Sequence, residues 1–302
     1  MFTEVVLVSG GVDSTLAAHY YPVAKRLFVD YGQPYAAMER KAVQAIFGKV
    51  KEVKISGFDI SDRDSFVPCR NIMLATLAVQ FGGRIILGGM KDDNVEDNKA
   101  EEFTLMSHVL SRYARKEVEI VSPFFKENKA DAISLFLKLN PPDLLYKTVS
   151  CFSPRNGQEC LDCPACLRKN VAFHVNRMKS KYLSQRIIRV YLNKIHTYDR
   201  HRQWTFFNYL NDKHQVAFVD IDGVLADGGN GIRYGDKKPN LRNIKKLRAL
   251  KKFRVLWTAR REVDRGITTM WLMKHRVEYD CLLMEKPNFE IFYDDKARTR
   301  LP

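Results

Sequence analysis

One stretch of six residues, Ser9-Gly10-Gly11-Val12-Asp13-Ser14, constrains this chain more than any other. It follows the apolar run Val5-Val6-Leu7-Val8 and precedes a helix-like segment from Thr15 to Tyr20. Strand, tight glycine turn and helix, in that order, place a loop at the end of a buried strand. Two glycines let the backbone approach a ligand closely, and a helix start offers unpaired N–H groups and a positive dipole end to an anion. Ser9 and Ser14 add hydroxyl donors, and Asp13 can hold a metal or orient the loop. The Gly-Lys-Ser/Thr ending of the common nucleoside-triphosphatase loop is absent.

The surrounding pattern predicts what carries that loop. Short apolar runs at 5–8, 27–30, 53–55, 85–88 and 118–121 alternate with helix-like segments at 35–47, 71–81, 103–114 and 130–139. Such alternation implies a parallel sheet with helices on both faces and ligands beyond the carboxyl ends of the strands, where Ser9 and Tyr31-Gly32-Gln33 fall. A second alternating unit has strand-like runs at 216–221, 254–257, 281–284 and 291–293. Its helices carry the stripe Leu241, Ile244, Leu247, Leu250 and the segment 262–274. Between the two, residues 177–214 hold nine Lys/Arg against two Asp, with apolar residues at helical spacing. The expected class is α/β, with two Rossmann-like parallel-sheet domains at 1–176 and 215–302 and a basic helical connector at 177–214.

A chain of 302 residues suits two domains. No apolar run reaches the ~18 residues of a membrane span, and the N-terminus has no secretory pattern, so a soluble cytoplasmic protein without membrane attachment is expected. The net charge of +15 is lopsided: residues 1–176 carry 22 basic and 21 acidic side chains, residues 177–302 carry 28 and 14. An excess confined to one half points to a nucleic-acid partner there, or to a solvated Lys/Arg face.

Cys160-x2-Cys163-x2-Cys166, with Cys151 upstream, supplies four thiolates, while Cys69 and Cys281 stand alone. Four soft ligands suit a closed tetrahedral Zn²⁺ site of structural type, with an iron–sulfur cluster or disulfides as the alternatives. Together with the glycine loop, these residues resemble the 7-cyano-7-deazaguanine synthase family of N-type ATP pyrophosphatases, over roughly residues 1–175. Ser9 to Ser14 match its SGGxDS loop, Tyr31-Gly32-Gln33 its YGQ element, Glu39 its acidic position in the next helix, and Pro68-x-Arg70-Asn71 its PxRN segment. Lys129 follows Pro123 as in its threonine-lysine segment, and Leu167-Arg168 follow the last cysteine. The resemblance implies that ATP activates the carboxylate of 7-carboxy-7-deazaguanine, ammonia displaces the activated oxygen, and a second activation dehydrates the amide to a nitrile. It implies ATP binding by Ser9, Gly10, Gly11, Asp13 and Ser14. It implies substrate binding by Tyr31, Gln33, Glu39, Arg70, Asn71, Asp93, Asp97, Asn98 and Lys129, and zinc at Cys151, Cys160, Cys163 and Cys166. At 94–98 the chain departs from the family: Asn-Val-Glu-Asp-Asn replaces the usual aromatic-Pro-Asp-Cys-Arg run.

Asp220-Ile221-Asp222-Gly223 follows the apolar run Val216 to Val219, Thr258 follows the next, and Lys286 and Asp294-Asp295 close the series. Two carboxylates at alternate positions beyond a strand form a reasonable nucleophile and acid/base pair for phosphate transfer. The order resembles the haloacid dehalogenase phosphatase superfamily. That resemblance implies Asp220 as nucleophile, Asp222 as acid/base, Thr258 and Lys286 on the phosphoryl oxygens, and Mg²⁺ at Asp220, Asp222, Asp294 and Asp295. About 30 residues separate successive motifs, which leaves no room for an inserted cap.

The expected protein is thus a fusion of an ATP-dependent nitrile synthase and a capless Mg²⁺-dependent phosphatase for a nucleotide or nucleic-acid phosphate. Its expected partners are a deazapurine, ATP, ammonia, a nucleic acid at the basic half and a second copy of the chain. Two alternatives stand beside it. In one, the activated acid is attached to a nucleic acid or a protein. In the other, the basic half docks nucleic acid and its phosphatase fold is inactive.

Overall fold

A computed structural model describes residues 2–57, 67–93, 95–229 and 231–287. The chain divides into two compact units, 1–183 and 184–302.

In the first unit, strands β1 (Glu4–Leu7), β2 (Lys25–Asp30), β3 (Lys51–Lys54), β4 (Arg84–Ile86) and β5 (Glu119–Val121) pair in parallel, in the order β3-β2-β1-β4-β5. Helices α1 (Val12–Tyr20), α2 (Ala36–Phe47), α3 (Arg70–Ala78), α4 (Ala100–Ala114), α5 (Lys129–Leu137), α6 (Asp143–Tyr146) and α7 (Pro164–Val175) complete it. The side-chain period of two explains the layers. Val6, Val8, Phe28 and Ile86 enter one core with Leu16, Ile133 and Ala172. Val5, Leu7, Leu27, Val29 and Ile85 enter the other with Ala75, Phe103 and Leu110. A sheet buried on both faces needs nearly continuous apolar strands, which is what these runs supply. The edge strand β3 is different: it carries exposed Lys51, Glu52 and Lys54, charges that discourage pairing with a further strand. Strand order reverses between β1 and β4, so a crevice opens beyond their carboxyl ends.

In the second unit, β6 (Val216–Val219), β7 (Phe253–Trp257) and β8 (Cys281–Leu283) form a parallel sheet in that order. Helices α8 (Gln185–Leu192), α9 (Arg200–His214), α10 (Leu241–Ala249) and α11 (Arg265–Lys274) accompany it. Val219, Leu256 and Leu282 pack with Ile244 and Leu247 of α10 and with Trp271 and Leu272 of α11. The strand expected at 291–293 lies outside the described residues.

Within the basic segment, α8 and α9 are helical while 177–184 is not, and the boundary between the compact units falls at 183/184. Helix α9 packs on β6 through Phe207 and Phe218, whose ring centroids are 5.2 Å apart. Ser184 and Asp199 cap α8 and α9 by accepting from the amides of Ile187 and Arg202. No helix among the described residues is long and apolar enough to cross a membrane.

Candidate functional site

The glycine loop lies at the β1–α1 junction. Gly10 has φ +69°, and a Cβ there would come within 2.7 Å of the Ala42 Cβ, so only glycine fits between this turn and α2. No side chain caps the start of α1. The two serines brace the turn instead. Ser14 Oγ accepts from the Ser9 amide at 3.1 Å and lies 3.2 Å from Ser9 Oγ, and Ser9 Oγ accepts from the Gly11 amide at 3.3 Å. From β4, Gly88 closes the crevice, with its would-be Cβ 3.0 Å from the Asp13 Cβ. A larger residue at 88 would displace Asp13.

Asp13 is ion-paired to the buried amine of Lys129 at the start of α5. The Lys129 amide donates to Asp92 Oδ1 at 3.3 Å. Asp92 and Asp93 both face Arg168 of α7, at 3.3 Å from Nη2 and 2.7 Å from Nη1. Asp93 also accepts from the Met90 amide at 3.0 Å and from Asn98 Nδ2. Asp97 is turned to α3: its backbone oxygen accepts from Asn71 Nδ2 at 2.9 Å. Asp93, Asp97, Asn98 and Asn71, expected on substrate, are therefore engaged with protein groups, and they order the loop beyond β4.

On the other side of β1, Gln33 Nε2 donates to Glu39 Oε2 at 2.8 Å, and Gln33 Oε1 accepts from the Tyr31 amide at 2.9 Å. Burial pushes the Glu39 carboxyl up to about 7, against the pull of Gln33 and the Arg70 charge. Burial likewise raises the phenols of Tyr31 and Tyr35, whose oxygens are 3.2 Å apart. Arg70 lies within electrostatic range of all three groups. Tyr31, Gln33, Glu39 and Arg70 thus come together, with Phe152 6.0 Å from the Tyr35 ring. Flat aromatic faces beside an arginine suit a planar, polar ligand.

The four cysteine sulfurs lie within 4.8 Å of one another, and Cys151, Cys163 and Cys166 are buried. Zn–S bonds of about 2.3 Å put the sulfurs of a tetrahedral site about 3.8 Å apart, so this donor set fits one such ion. Proline at the first position of α7 starts the helix directly after Cys163 and places Cys166 on its first turn. Glu159 braces the loop, accepting from Lys169 at 2.9 Å and from the Ser150 amide at 2.8 Å. The Val149 amide donates to Gly10 O at 2.9 Å, which ties this segment to the glycine loop.

In the second unit, Asp220 leaves β6 with one oxygen on the Ile221 amide at 2.7 Å and the other ion-paired to Lys286. The Lys286 amide donates to Thr258 O at 2.9 Å, which sets Thr258, Lys286 and Asp220 side by side. Asp222 is gripped by Arg260, Nε at 2.8 Å and Nη2 at 2.9 Å, and by Lys237 at 3.1 Å. Burial opposes ionisation of Asp222, but the bidentate Arg260 contact and Lys237 outweigh it and hold its pKa below the usual carboxylate range. Held in this way, Asp222 is an ionised carboxylate of lowered proton affinity. Arg260 is 1% exposed, donates to Thr268 Oγ1 at 3.1 Å and lies 4.2 Å from the Tyr234 ring centroid. Of the residues expected on Mg²⁺, Asp220 and Asp222 are described, and their carboxylates are engaged by Lys286 and by Arg260 and Lys237. Asp294 and Asp295 lie outside the described residues.

Sequence reasoning assigned no role to Asp92, Arg168, Lys237 or Arg260. Asp92 and Arg168 adjoin named motifs and were open to suspicion. Lys237 sits in a Lys-Lys-Pro segment that carries no signal.

Residues 54–177 match the family described as "Queuosine biosynthesis protein QueC". The chain is 28% identical over 217 residues to the 7-cyano-7-deazaguanine synthase of Archaeoglobus fulgidus, covering 60% of this chain and 89% of that protein. It is 27% identical over 208 residues to the synthase of the same name from Chlorobaculum parvum, covering 56% and 90%. The likeness to synthases therefore accounts for part of the chain.

Proposed function

We propose that the first unit converts 7-carboxy-7-deazaguanine and ammonia to 7-cyano-7-deazaguanine at the expense of ATP. The observation that carries this reading is the braced glycine loop at the point where strand order reverses, in a chain whose match to one synthase spans 89% of that protein. The loop and the start of α1 receive the phosphates. Lys129, already on Asp13, stands where a phosphate could take over its amine. Arg70 pairs with the substrate carboxylate beside Tyr31 and Tyr35, and Gln33 and Glu39 read polar edges of the base. The cysteine cluster holds zinc with no open position, so the metal is structural. Attachment of the activated acid to a macromolecule is the second reading. It is favoured by the altered run at 94–98 and by the engagement of Asp93, Asp97 and Asn98 with protein groups.

For the second unit we propose a Mg²⁺-dependent phosphatase acting on a nucleotide or nucleic-acid phosphate. Asp220 attacks phosphorus, Thr258 and Lys286 hold the phosphoryl oxygens, and Asp222 acts as acid/base once Arg260 and Lys237 release it. Mg²⁺ would be held by Asp220, the Asp222 carbonyl and Asp294 or Asp295 and would offset phosphate charge.

Mass spectrometry of products from ATP, ammonia and the carboxylate tests the first reading; a free nitrile is expected. No consumption of the acid would overturn it, and transfer of the acid to RNA, DNA or protein would favour the second reading. For the second unit, phosphorylated oligonucleotides are expected to outcompete sugar phosphates, by a margin that shrinks as salt rises.

A further inference from the structure

Among the described residues, Arg168 has two buried N–H groups without a hydrogen-bond partner. It lies two residues beyond Cys166 on α7, so the segment that builds the cysteine cluster also aims this guanidinium. Nη1 is taken by Asp93 at 2.7 Å. Nη2 lies 3.3 Å from Asp92 but is not aligned for a hydrogen bond. Nε and Nη2 are both buried and have no hydrogen-bond partner among the described residues. Buried guanidinium N–H groups left this way cost free energy, and proteins seldom leave them so without a further acceptor. A guanidinium only donates, so the missing partner is an acceptor, and an anionic oxygen is the one it binds most strongly.

The neighbours indicate which anion. Asp13, on the first turn after the glycine loop, is within electrostatic range of Arg168. Lys129 joins the same group, with its amine on Asp13 and its amide on Asp92. Arg70, the other arginine of the unit's site, sits instead with Tyr31, Tyr35 and Glu39. Three carboxylates face two cations in the Arg168 group, so the incoming anion is best accompanied by a divalent metal that offsets the surplus.

Resting on the nucleotide-binding reading of the first unit, we propose that Arg168 is an oxyanion-binding residue of that site. Its Nε and Nη2 take an oxygen of the magnesium–nucleotide phosphate chain, while Nη1 stays on Asp93. The cysteine cluster then has a job beyond holding its own loop: it sets the position of a ligand-binding arginine.

Binding of magnesium with a non-hydrolysable ATP analogue, of magnesium pyrophosphate and of 7-carboxy-7-deazaguanine, measured by calorimetry on the full chain, tests this. Arg168→Gln should weaken the analogue and pyrophosphate about tenfold or more and leave the deazaguanine unchanged. Arg168→Lys should recover part of the loss, since it keeps the charge without the fork. Zinc content and circular dichroism should match wild type in both. Weakening of the deazaguanine alone would assign Arg168 to its carboxylate and overturn the phosphate assignment. Unchanged affinities, or loss of zinc with every ligand weakened alike, would make Arg168 a structural residue. Should both variants fail to fold, a crystal structure of the wild-type chain with the analogue decides: no phosphate oxygen within reach of Nε or Nη2 overturns the proposal. A wild-type chain that binds the analogue but yields no nitrile refutes the synthase reading and leaves this one standing. One that binds no nucleotide refutes both.

Discussion

The two units place their candidate groups at the same point, just past the carboxyl end of a parallel strand, but with opposite means. After β1 the chain offers backbone: a glycine turn, an uncapped helix start and two serines that brace the turn rather than reach out of it. After β6 it offers side chains: Asp220 and Asp222, each neutralised by a cation from another segment. Backbone N–H groups favour anions, whereas two adjacent carboxylates repel phosphate unless Lys, Arg or a metal offsets them. Strand-then-turn is thus a placement device, and the residues placed decide which charges the loop presents. The supports differ as well. The first loop is buttressed by α2, by Gly88 and by the segment leading into the cysteine cluster, the second by a ring of Arg260, Lys237 and Tyr234.

The sharpest break between the units should come from Cys163→Ser. Four-thiolate zinc sites supply folding free energy, on the order of 10 kcal/mol in small zinc modules. The variant is expected to lose zinc and most of its soluble yield, checked by metal analysis. Iron with sulfide, or active wild-type protein free of metal, would contradict the assignment. Next in size is a double dissociation. Asp220→Asn should lower phosphate release about a thousandfold or more while nitrile formation persists, and Asp13→Ala should do the reverse. If either substitution stops both reactions, the units are not chemically separate.

Arg260→Gln probes the cation ring. Asp222 has a depressed pKa, so its charge contributes stability above its ordinary range near ~3.9, and that contribution is lost as pH falls through the lower folded value. Removing Arg260 should move the acid limb of the phosphatase profile to higher pH. An unmoved limb would show that Arg260 does not govern Asp222. The smallest effect is expected at Glu39. Its carboxyl, raised by burial to about 7, makes the folded state bind more protons than the unfolded one, so stability falls as pH rises from the ordinary value toward 7. Glu39→Gln should remove that slope and add about 2 kcal/mol at pH 8 relative to pH 5, read from thermal midpoints. A slope equal to wild type would mean that Glu39 is ionised throughout.

Much of this arrangement was legible in the residues. Apolar runs doubly buried in a parallel sheet announce themselves, and β1, β2 and β4 fall close to where the runs place them. The glycine loop and CxxCxxC spacing are equally local, because a tight turn and a metal-closing loop are short-range geometry. Helix ends were less legible: α3 stops at Ala78 rather than 81, and α7 is reached only once Pro164 is read as a helix start. Local order also says nothing of which charged groups meet. Lys129 is 116 positions from Asp13, Arg168 is 75 from Asp93, and Lys237 and Arg260 reach Asp222 from separate segments. Sequence by itself determined most of the described strands, the glycine turn and the sulfur donor set, since each depends on neighbours along the chain. Tertiary structure alone decided that Asp222 is held as an anion, that Asp93 and Asp97 turn toward protein groups, and that Arg168 keeps two N–H groups unfilled. Those outcomes depend on burial and charge pairing between distant segments, which a linear pattern does not encode.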